Sequence, residues 1–81
     1  DGRYVVSGSM DLEDLANALG MHFRRSHSST IGGYLSEHLG VIPPENTEYR
    51  EGGYIFTIDK TSERRVDRVL VTRDERQENR G

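Results

Sequence analysis

Three histidines are the residues of this chain that could hold a transition metal. His22 and His27 fall in a polar stretch, and His38 follows Glu37. Two ligands fixed on one helical face need a spacing such as His-x-x-x-His or Glu-x-x-His, and neither spacing occurs. We therefore expect histidines at or near the surface, with no metal site among them.

Acidic pairs could hold a hard cation such as magnesium, because carboxylates are the ligands that it prefers. They recur at Glu13 and Asp14, at Glu45 with Glu48, and at Asp74 and Glu75. None has the alternating Asp and Asn spacing of a calcium loop, and acids at a helix start suit the helix dipole without any ion. The acids, like the histidines, thus predict no magnesium or cobalt site.

Hydroxyls, glycines and arginines are the remaining groups with a use in catalysis or phosphate binding. No serine lies in a Gly-x-Ser-x-Gly elbow or in a recognisable order with a histidine and an acid. The glycines at Gly8, Gly32 with Gly33, and Gly52 with Gly53 form neither a dinucleotide motif nor a Walker loop. Arginines 65, 68 and 73 could edge an anionic groove, although short basic runs are more often solvated. We expect no catalytic residue and no enzyme.

Length and composition limit the function further. The chain has 81 residues, of which 32% are apolar and 31% charged, so it holds one unit with a thin core and no room for a deep substrate cavity. A net charge of -3 disfavours nucleic acid, and the absence of cysteine excludes disulfides and thiolate zinc. No apolar run reaches the ~20 residues that cross a bilayer, so this fragment is not expected to span a membrane.

Two helices are predicted to position these groups. In the first, the apolar residues at 12, 15, 16 and 19 share one face, Asp11 caps the start, and Gly20 ends the helix. The second begins after Thr30 or Ser29, carries apolar residues at 31, 35 and 39, and ends at Gly40. Because Gly32 and Gly33 weaken its first turn, we expect a closely packed neighbour there. Residues 21–29 read as a loop held by Met21 and Phe23.

Strands are predicted over 4–7, 47–51, 54–59 and 64–73, with a Gly52-Gly53 hairpin turn and a polar turn over 60–63. Tyr54, Phe56 and Ile58 share one face of the third strand. Val66 falls out of phase with Val69 unless a β-bulge lies near residue 67 or 68. Residues 41–44 read as extended. The result is an α+β fold in the order β-α-α-β-β-β, with two helices on one face of a small, mostly antiparallel sheet of about four strands.

The order and spacing of these elements resemble a known family. A strand that ends at Gly8 precedes an acidic-leucine helix, and a Thr30-Ile31-Gly32-Gly33 helix start leads to a Leu39-Gly40 exit with Pro43. A Gly53-Tyr54-x-Phe56 strand and an Arg-Val-x-x-Val69 strand follow. This pattern resembles the CorC/HlyC transporter-associated domain over residues 1–73, and the polar residues 74–81 read as a disordered tail. Where that family has Gly-Glu after the proline, this chain has Asn46-Thr47, and Asn tolerates the same left-handed turn.

The resemblance implies an accessory or regulatory domain rather than an enzyme. It implies a membrane protein with a pair of CBS domains, associated with magnesium and cobalt efflux or labelled a hemolysin, with this domain at the cytoplasmic face. The partners expected are the CBS pair, the membrane region of the same polypeptide, or a second copy in a homodimer. An exposed sheet edge or the face with Tyr54 and Phe56 could supply the contact. No cofactor is expected, although similarity to a subdomain of flavin-binding oxidoreductases leaves FAD or an adenine nucleotide as the alternative.

Overall fold

A four-stranded antiparallel sheet carries two helices in the computed structural model, which describes residues 2–40 and 43–75. The elements are β1 (Arg3–Ser7), α1 (Leu12–Leu19), α2 (Ile31–Leu39), β2 (Glu48–Glu51), β3 (Tyr54–Ser62) and β4 (Arg65–Arg73). The strand order across the sheet is β1-β4-β3-β2, so the first and last strands of the chain are neighbours. The predicted α+β class and element order are confirmed.

Both helices begin at capping side chains that satisfy free amides of the first turn. The Asp11 carboxylate accepts hydrogen bonds from the N–H groups of Glu13 and Asp14, at 2.8 and 3.1 Å. Thr30, rather than Ser29, caps α2, because its Oγ1 accepts the Gly33 N–H at 3.1 Å. These caps fix where each helix starts and hence which side chains face the sheet.

The start of α2 lies against the sheet backbone. The Gly32 N–H donates to the Gly8 carbonyl oxygen at 2.8 Å, and a Cβ on Gly32 would lie 2.8 Å from that oxygen. A Cβ on Gly8 would lie 1.9 Å from the carbonyl oxygen of Val66, a distance that no side chain can tolerate. The close neighbour expected from the glycine pair is thus the backbone of Gly8, directly after β1, and of Val66 in β4.

The β3–β4 hairpin is longer than the sequence predicts. Thr61 pairs with Val66 and Ser62 with Arg65, so the strand continues through most of the segment 60–63 predicted as a turn. The pairing is irregular between the Ile58–Val69 pair and the Thr61–Val66 pair. In this part of the hairpin, Asp59 of β3 and Asp67 of β4 are left out of the register. The irregularity at Asp67 is the predicted bulge, and it returns Val66 to the core, where it is 3% exposed.

The tight turns have the expected chemistry. Gly52 and Gly53 connect β2 to β3 with φ angles of 63° and 86°, which glycine adopts without strain. Asn46 has a φ of 75°, so it takes the left-handed conformation expected at that departure from the family pattern.

The core lies between the helices and the inner face of the sheet. Its fully buried large side chains come from both helices and from β3 and β4: Leu15, Ile31, Tyr34, Leu35, Phe56, Ile58, Val69 and Val71. Met21 and Phe23 hold the 21–29 loop against this cluster, as predicted. Because Phe56 is fully buried and the Tyr54 hydroxyl donates to the Leu19 carbonyl, the suggestion that their face is a contact surface is wrong.

The carboxyl end of β4 differs from the sequence prediction. Asp74, assigned to the polar tail, is 6% exposed, and its N–H donates to the Gly53 carbonyl at 2.9 Å. Its carboxylate lies 3.6 Å from Nε of Arg50. A polar residue is therefore buried here because partners from the β2–β3 hairpin surround it. The rest of the predicted tail, 76–81, and residues 41 and 42 of the predicted extended segment lie outside the described residues.

We predict that Leu35→Ala lowers the free energy of unfolding by about 2 to 5 kcal/mol, since the side chain is fully buried at the centre of the α2 stripe. Val5→Ala is the control, because Val5 is 61% exposed and its loss should stay below about 1 kcal/mol. Urea denaturation measures both, and equal losses would mean that α2 presents another face to the sheet.

We predict that Asp74→Asn destabilises the chain by about 1 to 2 kcal/mol, because a nearly buried carboxylate loses its charge beside Arg50. Asp67→Asn is the matched control: its side chain is 41% exposed and pairs with Arg65 at 3.4 Å, so we expect a smaller effect. A larger loss for Asp67→Asn in the same denaturation assay would contradict the docked position of Asp74.

Candidate functional site

Three places in the described structure could carry a function: a groove, a buried polar cluster and an uncovered sheet surface. The groove has a volume of about 580 Å³ and lies between the end of β1, the start of α2 and the β3–β4 turn. Its lining is rich in hydroxyls, glycines and arginines: Ser7, Gly8, Ser9, Thr30, Gly32, Gly33, Ser36, Arg64, Arg65, Val66 and Asp67. It is the place where an anionic small molecule would be sought first.

The backbone amides that border this groove are already used within the fold. The N–H of Ile31 donates to Met10, that of Gly32 to Gly8, and that of Gly33 to the Thr30 hydroxyl. The start of α2 thus offers these amides to the protein rather than to a phosphate. The charge of Arg65 is offset by Asp67 at 3.4 Å, and among the described residues no aromatic side chain lines the groove to stack on a flavin ring. The described lining therefore offers cationic groups to an anion but no stacking surface.

The polar cluster lies on the helix side of the sheet around Glu51. Its Oε1 accepts the hydroxyl groups of Tyr34 at 2.6 Å and Tyr49 at 2.7 Å, and its Oε2 accepts the Arg24 N–H at 3.1 Å. The His38 ring packs 4.2 Å from the ring of Tyr34. One carboxylate therefore joins β2 to α2 and to the 21–29 loop.

Both phenols in this cluster are held in their protonated form. Burial, followed by the hydrogen bond to Glu51, raises the pKa of Tyr34 well above its ordinary value of 10.0. Burial and then Glu51 likewise raise the pKa of Tyr49. A raised pKa makes a phenol harder to deprotonate, and each hydroxyl already donates its hydrogen bond to Glu51. These hydrogen bonds connect β2 to α2 within the fold.

Glu51 is not among the candidate residues of the sequence, where it only ends a short predicted strand. The available signal is the alternation of Tyr49 and Glu51, because residues two apart in a strand share a face. If Tyr49 faces the core, then so does the Glu51 carboxylate, and it needs donors there. Tyr49 lies two positions away, but the other two donors, Tyr34 and Arg24, lie 17 and 27 positions away, where no local pattern reveals them.

The residues considered as metal ligands in the sequence lie apart in the described structure. His22 and His27 are exposed in the loop, the Glu45 carboxylate accepts the Thr61 N–H at 3.2 Å, and Glu48 lies 3.5 Å from Arg50. Within residues 2–40 and 43–75, no group of three His, Asp or Glu side chains could hold a metal ion.

The uncovered surface is the outer face of the sheet with the free edge of β1. Cross-strand pairing places Val5 beside Leu70, and Leu70 beside Thr57, on the face opposite to the buried Val69 and Val71. Val5 is 61% exposed. An apolar stripe therefore faces outward, with no described helix over it.

The sequence profile of the transporter-associated domain family CorC_HlyC matches residues 1–75. The chain belongs to this family. The UPF0053 protein YegH of Escherichia coli K12 is 31% identical over 72 residues, which make up 88% of this chain. The chain spans only 17% and 14% of the lengths of the first curated relatives it matches.

Solved structures of CorC/HlyC domains share the fold. A region from Neisseria meningitidis MC58, described as associated with a Mg²⁺ and Co²⁺ transporter (CorC), aligns with a TM-score of 0.83 at 26% identity over 90% of each chain. The CorC_HlyC domain of a Xylella fastidiosa Temecula1 hemolysin, solved with Mg²⁺ and Mn²⁺, aligns with a TM-score of 0.78 over 88% of this chain and 86% of that one. Its identity of 22% supports likeness of fold alone.

The residues that carry the CorC/HlyC pattern lie in turns, caps and the core. Gly8 and Gly32 pack closely against backbone carbonyl groups, Thr30 caps α2, and Gly33 lies beside Ser28. The others form the core or end an element: Ile31, Leu39, Gly40, Pro43, Gly53, Tyr54, Phe56 and Val69. None of them gathers with titratable groups into a reactive site. Neither helix in the described ranges is long and apolar enough to cross a membrane.

We predict that Tyr34→Phe lowers stability at neutral pH by about 1 to 2 kcal/mol, because Glu51 loses a hydrogen-bond donor. The raised pKa of Tyr34 also means that the folded state keeps a proton which the unfolded state releases above its ordinary pKa of 10.0. Stability should therefore fall as the pH rises beyond that value, and less steeply in Tyr34→Phe. Urea unfolding at pH 7 and about pH 11 tests this.

Tyr4→Phe is the control for this pair of measurements, since Tyr4 is 53% exposed. It should leave both the neutral stability and the alkaline slope unchanged. An alkaline slope that is the same in Tyr34→Phe as in the unsubstituted chain would contradict the role assigned to the cluster.

Proposed function

We propose that this chain is a non-enzymatic regulatory domain of a larger membrane protein that exports divalent cations, magnesium or cobalt, or is hemolysin-like. In this proposal it lies on the cytoplasmic side and acts by contact with the CBS-domain pair and membrane region of the same polypeptide, or with a second copy. Family membership supports placing this domain in a transport protein, and so does the description of the Neisseria relative. The chain's small share of its curated relatives supports an accessory role.

The observation that carries the proposal is the uncovered outer face. Val5, Leu70 and Thr57 form a row across three strands, and Ile55 lies beside Thr72 in the next row. Apolar side chains gain free energy when another apolar surface covers them and removes them from water. In contrast, the backbone amides beside the groove already donate hydrogen bonds within the fold, and the phenols of the Glu51 cluster keep their protons. A contact surface is the function that these features favour over a reaction.

We predict that Leu70→Glu in the complete protein changes cobalt or magnesium efflux by about fivefold or more, the lower range of typical coupling between sites. The new charge lies at the centre of the outer face, away from the core. Ala18→Glu is the matched control, because it adds the same charge at an exposed position of α1. Efflux from loaded cells is the measurement, with amide spectra of the isolated domain variants to verify folding. Equal efflux from both variants, with both domains folded, would refute a role for the outer face.

The rival function is a module that binds FAD or an adenine nucleotide, and the groove with Arg64 and Arg65 is the feature that favours it. Titrating FAD, ATP, millimolar magnesium and micromolar cobalt into the domain, followed by amide NMR shifts, distinguishes the two. We expect no saturable shifts at the groove or at His22, His27, Glu45 or Glu48. Saturable ATP shifts that Arg64→Ala removes would favour the rival, and metal shifts at the loop histidines or the acids would assign cation sensing to this domain.

A further inference from the structure

The two edges of the sheet are protected to different degrees. The edge strand β2 reads Glu48-Tyr49-Arg50-Glu51, and charged side chains of this kind discourage pairing with another chain. The other edge strand, β1, has only Arg3 as a charge and contains no proline. Its register with β4 is continuous from Arg3 to Ser7, so no bulge turns it away either. The middle of β1 is apolar and exposed, with Tyr4 at 53% and Val5 at 61%.

We infer that β1 pairs antiparallel with β1 of a second copy about a two-fold axis at Val5. This rests on the proposed function, in which a second copy is one of the partners, and it names the strand and the register. The result is an eight-stranded sheet, because each copy contributes its four strands. The outer apolar stripe of one copy, Leu70 and Val5, then continues directly into that of the other.

The geometry of a sheet restricts the register of such a pair. Residues directly opposite each other point to the same face, and side chains alternate along each strand. When a two-fold axis perpendicular to the sheet relates the strands, the axis must therefore lie midway between the two copies of one residue, and not at the level of a peptide bond between two residues. Only pairings centred on single residues keep both helical layers on one side.

Among those pairings, the one centred on Val5 matches the side chains best. It places Val5 opposite Val5, Tyr4 opposite Val6, and Arg3 opposite Ser7, so all five residues of β1 are paired. A centre at Arg3 would bring two guanidinium groups face to face, and a centre at Tyr4 would set Arg3 against Val5. With the centre at Val5, the two Arg3 residues are about 13 Å apart along the sheet, beyond the screening length in physiological salt.

The size of the contact sets its strength. A strand of five residues buries less than the roughly 1,200 Å² of a standard stable interface, so the association should be weak in solution. We expect dissociation in the micromolar to millimolar range. The monomer predominates in dilute samples, and the dimer forms as the concentration rises.

Sedimentation velocity over about 10 μM to 1 mM tests the pairing, a range chosen for an interface at the small end of the scale. We expect the average mass to rise towards that of two chains. In Val5→Lys the mass should stay at one chain, because the new charges would meet across the axis. Val5 is 61% exposed, so the variant should keep the amide spectrum of the folded chain. A mass that stays at one chain in the unsubstituted protein would overturn the inference.

Cysteine trapping tests the register, since the chain has no cysteine of its own. In Val5→Cys the two thiols lie directly opposite, within reach of mild oxidation or a short bis-maleimide. The control is Ser7→Cys, which lies on the same face of the same strand. Its two thiols are offset from each other by four residues along the paired strands. We expect covalent dimer to form about tenfold faster in Val5→Cys. Equal rates would overturn the register, and the rates do not depend on the efflux assay that tests the proposed function.

Discussion

The contact of the α2 start with the sheet backbone is the constraint on which the rest of this structure depends. Gly8 and Gly32 allow it, because a Cβ on Gly8 would collide with the Val66 carbonyl oxygen and a Cβ on Gly32 with that of Gly8. With no side chain between helix and strand, Ile31 and Leu35 reach full burial in a chain with few apolar residues to spare. A domain of this length needs such close packing, since it buries only about 60% of its unfolded surface.

The same contact directs Tyr34 toward β2 and thereby organises the helix side of the sheet. Tyr34 is fully buried, packs edge-on against Phe23 at 4.9 Å, and donates a hydrogen bond from its hydroxyl to Glu51. Glu51 in turn holds the backbone of the 21–29 loop through Arg24. The Glu51 carboxylate and the Phe23 ring thus help to hold a loop that has no regular structure.

Within the described residues, placing both helices on one face leaves the opposite face and the β1 edge uncovered. This asymmetry supplies the contact surfaces on which the proposed function rests. Several charged side chains have structural partners: Asp11 caps α1, Asp74 pairs with Arg50, and Arg68 lies 2.6 Å from Asp59. The Val5 and Leu70 stripe faces outward, and the proposed function assigns it to a partner.

The sequence by itself determined the local elements of this protein, because their signals lie within a few residues of one another. The helix from Leu12 follows from the spacing of its apolar residues and from Asp11, and the β2–β3 turn follows from Gly52 and Gly53. The bulge at Asp67 could be predicted because Val66 must reach the core. The close neighbour of Gly32 was also expected, although its identity was not.

Only the tertiary structure decided which distant groups meet. The strand order brings β1 beside β4, so the chain's first strand becomes an edge and Val5 is left exposed. The fold also buried the Tyr54 and Phe56 face, docked Asp74 against the β2–β3 hairpin, and placed Glu51 between two phenols. These contacts join residues far apart in the chain, where neither periodicity nor local propensity carries information, and each depends on the packing of whole elements.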